Sequence, residues 1–170
     1  NLSIGSTLIP IFHLHSVLVF LNLEKKRKLL LIIGYILAII FLSFNYSSLF
    51  IRDVEYTFGF SYWPKPGFLY HIYLFLYFIP CFIYSFIEIF KRYRKSVGQK
   101  RSQLRYVFLG ITLGVISGCT NFPLWYNINI PPYLNPLVMI YMTAYAYAIF
   151  RYRFLDIRLA FRRSFLKIIL

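Results

Sequence analysis

The residues with the most chemistry to offer are His13, His15 and His71, because a histidine within an apolar helix can ligate a metal or a heme. His13 falls near the middle of the first apolar stretch, His15 two residues on and pointing elsewhere, and His71 at the far end of the third. Their depths do not match, so interhelical hydrogen bonds or a headgroup contact are expected, with no metal and no cofactor. Asn121 is a buried amide in an apolar setting and needs a partner, which is either another helix or a ligand. Tyr56, Trp63 and Trp125 sit at the ends of apolar stretches, where aromatic rings anchor at an interface or line a binding site. Together Tyr56, Trp63, His71, Asn121 and Trp125 are the candidate ligand-binding residues. Glu88, one turn before Arg92, reads as half of an i, i+4 ion pair.

Catalysis finds few tools. The five acids all lie away from the centres of apolar stretches, and no glycine-rich phosphate loop, His-Glu-x-x-His or serine elbow is present. No catalytic residue is therefore assigned. Cys81 and Cys119 are isolated in separate apolar runs, which makes neither a disulfide framework nor a metal site.

The elements that must position these residues are apolar helices. With 14% charged, 59% hydrophobic and 22% aromatic residues, and a mean hydropathy of +0.63, most of the surface must face something other than water. A helix crossing about 30 Å of hydrocarbon needs about 20 apolar residues. Five stretches approach this, at about 2–23, 29–50, 68–90, 106–128 and 134–150, followed by a helix over 151–170. The fold expected is an all-α polytopic transmembrane bundle of about five spans. One short hairpin-like loop on the outer side is expected around Phe58-Gly59-Phe60, closed by Trp63-Pro64-Lys65-Pro66-Gly67. Tyr70, Tyr73, Tyr77, Cys81, Tyr84 and Glu88 recur every three or four residues and share one helix face. Gly110, Gly114 and Gly118 form a four-residue repeat suited to close helix packing in lipid.

Cations fix the orientation. Four lie in Lys25–Lys28, seven in Lys91–Arg105 and six in Arg151–Lys167, so 17 of the 19 Lys and Arg residues are clustered, leaving Arg52 and Lys65. With five spans the clusters fall on one face by parity, and that face is cytosolic. The net charge of +14 is thus a topology signal, and nucleic acid is not expected as a partner. Asn1 and the 51–67 loop are placed outside and the C-terminus in the cytosol. A first residue that is not Met, already within an apolar run, suggests an excerpt of a longer protein.

Several segments together resemble a known family. They are Arg101-Ser102-Gln103-Leu104-Arg105-Tyr106, then Gly110, Gly114, Asn121 and Ile130-Pro131-Pro132, and the closing run from Tyr145 through Phe150-Arg151-Tyr152-Arg153 to Leu155-Asp156-Ile157. The chain is similar to the N-terminal seven-helix membrane region of bacterial sensor histidine kinases, with Leu8–Phe20 resembling its third helix. The resemblance implies an input module of the inner membrane, about two helices short at its start, that passes a signal of a two-component system to a cytosolic kinase domain in the same chain. It further implies a homodimer at full length, and Arg151, Arg153 and Asp156 as signal-output residues. After Arg153 the spacing of Phe154, Ile157, Phe161 and Ile168 suits a signalling coiled coil, or equally an amphipathic helix on headgroups. A transporter or membrane-enzyme fragment, or the same sensor joined to another output domain, is the competing reading.

Overall fold

A computed structural model of the chain describes residues 2–57, 59–141 and 143. The first helix, α1 (Leu2–Phe20), contains no charged residue and ends in a Schellman motif. Leu23 N–H reaches back to the Leu18 carbonyl at 2.8 Å and Asn22 N–H to Val19 at 3.0 Å, with Asn22 left-handed at φ 55°. The cationic 24–27 turn follows, and then α2 (Lys28–Ser43).

Helix α2 occupies only the first part of the 29–50 stretch. Its 16 residues rise about 24 Å. Polar side chains end it by competing for the backbone. The Ser43 hydroxyl donates to the Ile39 and Ile40 carbonyls, and the Asn45 amide donates to Thr7 Oγ1 of α1 at 2.8 Å. Turns then carry the chain to an antiparallel pair, β1 (Ile51–Thr57) and β2 (Phe60–Pro66), the expected hairpin. Gly67 closes it, because a Cβ there would collide with the Leu49 and Ser48 carbonyls.

One 28-residue helix follows, Phe68–Lys95, built from α3 (Phe68–Tyr73), a π-helical turn (Leu74–Phe78) and α4 (Ile79–Lys95). Pro80 brings no N–H to the Leu76 carbonyl and its ring crowds that turn, and the helix widens just before it. There Ile79 N–H donates to Leu74 O, five residues back. The break after it is short, although the second cationic cluster and the gap between the expected spans 68–90 and 106–128 cover 91–105. Only Ser96 and Val97 separate α4 from α5 (Gly98–Cys119), since the cations belong to the two helix ends. A single turn, α6 (Phe122–Trp125), extends α5, and the chain is helical again over 137–141.

The described fold is thus mostly helical. Phe68–Lys95 and Gly98–Trp125 are long and apolar enough to cross a membrane, and Ile4–Phe20 and Lys28–Ser43 are shorter apolar helices. Helix α1 is central, packed against α2 and α4, while α5 packs on α4. One core cluster gathers Ile11, Leu14, Phe41, Phe50, Tyr73 and Tyr77, and a second gathers Val17, Leu21, Ile89, Leu104, Val107 and Ile111. Outside them Leu29, Ile36 and Ile39 of α2 are 71%, 52% and 66% exposed, an apolar surface that suits lipid and not water.

Candidate functional site

The two ends of the bundle differ in chemistry. At one end the first two cationic clusters meet. Glu88, with its side chain largely buried, pairs with Arg27 of the α1–α2 turn at 3.8 Å and with Lys91 at 3.6 Å. Arg92, the partner expected from i, i+4 spacing, is not the one the carboxylate takes; the 24–28 turn folds back over α4 and brings Arg27 closer. Arg27 also stands over the Tyr84 ring at 5.8 Å, and Lys100 over Phe20 at 4.5 Å.

At the opposite end the hairpin, the start of α3 and the end of α6 enclose a cleft of about 370 Å³. Its hairpin wall carries Arg52, Asp53, Glu55 and Lys65, and its helical wall His71, Trp125, Tyr126 and Asn127. Successive strand residues normally point to opposite faces. Arg52 and Asp53 line one cleft because β1 advances two residues, Ile51 to Asp53, while β2 advances one, Pro66 to Lys65, so Arg52 is the extra residue of a bulge.

Lys65 is 7% exposed and is held on three sides. Its ammonium donates to the Leu124 carbonyl at 3.4 Å and to Asn127 Oδ1, and pairs with Glu55 at 3.7 Å. Three acceptors match its three donors, so it stitches β2 to α6. His71 Nδ1 shares a hydrogen bond with the Tyr126 hydroxyl at 3.0 Å, and Trp125 stacks on Tyr70 with centroids 4.3 Å apart.

Of the five candidate ligand residues, His71 and Trp125 line this cleft and three do not. Tyr56 is 73% exposed on the hairpin. Trp63 packs on Phe60 at 5.0 Å, with its indole N–H buried and without an acceptor among the described residues. Asn121 forms a reciprocal amide pair with Asn135, at 3.0 and 3.1 Å, across the turn that follows α6. Arg52, Asp53, Lys65, Tyr126 and Asn127 were missed, although one signal pointed to two of them: Arg52 and Lys65 are the two cations outside the clusters.

The glycine row is not uniform. Gly110 is buried; a Cβ on Gly114 would stand 3.0 to 3.3 Å from the Tyr141 ring; and one on Gly118 would meet nothing within 4 Å. Arg151, Arg153 and Asp156 lie outside the described residues. The histidines divide as well. His15 Nδ1 and the Tyr35 hydroxyl are 2.7 Å apart, while His13 stacks on Phe82 at 4.6 Å. No group of metal-ligating side chains assembles among the described residues.

The tyrosine stripe turns inward for a specific reason. Pro10 leaves the Ser6 carbonyl of α1 without its helical donor, and the Tyr73 hydroxyl supplies one at 2.9 Å. Tyr77 donates to the next carbonyl, Thr7, at 3.2 Å. The stripe is the seam between α1 and the long third helix.

Residues 2–158 match the family described as the N-terminal 7TM region of histidine kinase. Neither a curated protein nor a solved structure matches the chain at a significant level.

Proposed function

From the premise that the chain belongs to the N-terminal 7TM region family of histidine kinases, we propose that it is the sensory input module of such a kinase. The bundle takes up a stimulus at its hairpin end and relays it by helix motion to a kinase domain attached beyond the 151–158 segment. The observation that carries this reading, beside the family match, is the separation of the two ends. A polar cleft opens at one, and the first two cationic clusters converge at the other. Cations clustered at one end of an apolar bundle favour the cytosolic side. That supports a hairpin end outside and a signal that crosses five spans, the last of them at 134–150. In this reading the full-length protein is a homodimer in the inner membrane of a bacterium, Arg151, Arg153 and Asp156 transmit the output, and no residue of the region itself is catalytic.

The test uses the full-length kinase in vesicles. Gly114→Leu drives a branched side chain into the Tyr141 ring, at the packing of α5 against the segment that leads to the output. The expected result is autophosphorylation fixed at one level under all stimuli, with membrane insertion retained. Output and response equal to wild type would overturn helix motion as the relay.

A further inference from the structure

The cleft at the hairpin end contains two charges that have no ion-pair partner among the described residues. Lys65 is saturated by Glu55, Leu124 O and Asn127, so that pair is part of the wall. Arg52 is different: among the described residues no carboxylate or carbonyl pairs with its guanidinium. Its neighbour Asp53 accepts the Val54 N–H at 2.7 Å through Oδ1 and has no ion-pair partner among the described residues. A bulge turns both onto one wall, facing an aromatic and imidazole wall of Trp125, Tyr126 and His71.

We propose that this cleft binds a small zwitterion, with its carboxylate or phosphate on Arg52 and its ammonium between Asp53 and the Trp125 and Tyr126 rings. A guanidinium offers a planar fork of donors to either anion. A carboxylate beside aromatic faces holds an ammonium by charge and by the ring quadrupoles. The ionic groups of the lining, Arg52 and Lys65 against Asp53 and Glu55, sum to zero. With Lys65 and Glu55 paired to each other, a simple anion would still meet the Asp53 carboxylate, and a simple cation the Arg52 guanidinium. Only a ligand that carries both charges matches both, and the volume has room for a phosphoethanolamine group or a free amino acid.

The same chemistry has two sources, a solute or the headgroup of a zwitterionic lipid reaching up from the outer leaflet. The inference rests on the sensory reading above only for its consequence, since the binding itself is measured apart from kinase output. The full-length kinase is placed in nanodiscs of phosphatidylglycerol, and equilibrium binding of radiolabelled phosphoethanolamine and of radiolabelled leucine is measured. Saturable binding of at least one probe is expected. It should weaken at least about tenfold with Arg52→Gln and with Asp53→Asn, and inorganic phosphate or ethylamine alone should compete at least about tenfold less well than unlabelled phosphoethanolamine. Asp53→Asn keeps the Oδ1 acceptor for Val54, so the hairpin is retained while the charge is lost.

Adding phosphatidylethanolamine to the discs assigns the source. Suppressed probe binding identifies a lipid headgroup as the resident, and unchanged binding identifies a solute. No saturable binding of either probe, variants that bind as wild type does, or phosphate alone competing equally well would each overturn the proposal. Autophosphorylation is followed in parallel: binding without any change in output would sink the sensory reading and leave the site standing.

Discussion

At the scale of single residues, the bundle handles its backbone debts with side-chain hydroxyls. A proline inside an apolar helix strands a carbonyl that lipid cannot satisfy. Here Tyr73 bonds the Ser6 carbonyl freed by Pro10, and Tyr77 bonds the next carbonyl, Thr7. Tyr73→Phe is therefore expected to destabilise the bundle by about 1 kcal/mol. The cost should shrink toward zero in a Pro10→Ala background, where the restored backbone N–H can serve the Ser6 carbonyl itself. Unfolding in mixed micelles of the four variants of that cycle measures the coupling. A cost unchanged by Pro10→Ala would mean the hydroxyl matters for some other reason. None of this pairing was open to periodicity alone. Spacing put Tyr70, Tyr73 and Tyr77 on one face, but only the packed helices reveal that the face meets the weak point of α1.

Among the elements, the long helices were legible and their ends were not. Apolar length fixes that the cores of Phe68–Lys95 and Gly98–Trp125, at about 68–90 and from 106 onward, are helical, because little else can bury such a backbone. The helicity of their cationic ends at 91–95 and 98–105 is not fixed by it. The end of α2 at Ser43 depends on hydroxyls and an amide finding carbonyls and a neighbour, which hydropathy does not weigh. The hairpin was readable from its glycine and prolines. The cleft was not, because it depends on a one-residue bulge that breaks the alternation by which strand faces are read.

The glycine repeat carries its own prediction at this scale. Gly118→Ala should be neutral or stabilising by up to about 1 kcal/mol, since the methyl meets open space and alanine favours helix. Gly114→Ala should cost about 1 kcal/mol through the Tyr141 ring. Equal effects on unfolding in micelles would argue that the row packs as a unit.

For the whole molecule, the sidedness of the chain can be measured directly. Tyr62 is 80% exposed at the hairpin end and Val97 is 81% exposed between α4 and α5. With Cys81 and Cys119 replaced by serine, Tyr62→Cys in whole cells should react with a membrane-impermeant maleimide, and Val97→Cys should react only after the cells are opened. Equal reaction from outside would refute the proposed orientation. The first two cationic clusters are also joined physically, since Arg27 and Lys91 share Glu88. Glu88→Gln should loosen the α1–α2 turn from α4 and cost about 1 kcal/mol, read in the same micelle assay.

The π-helical turn at Leu74–Phe78 has a further consequence in terms of angular phase. Each residue advances an α-helix by about 100° and 1.5 Å, so a widened turn acts as one inserted tooth between the hairpin-side and cation-side halves of a single shaft. Tyr70 and Tyr73 before it, and Cys81, Ser85 and Ile89 after it, all face inward with that tooth in place. Deleting one residue from the turn would remove that tooth and leave a regular helix with both halves still seated and Glu88 still beside Arg27. A stimulus that converts the wide turn to a regular one with every residue kept would instead swing the lower half by roughly a quarter revolution and carry Glu88 away from Arg27.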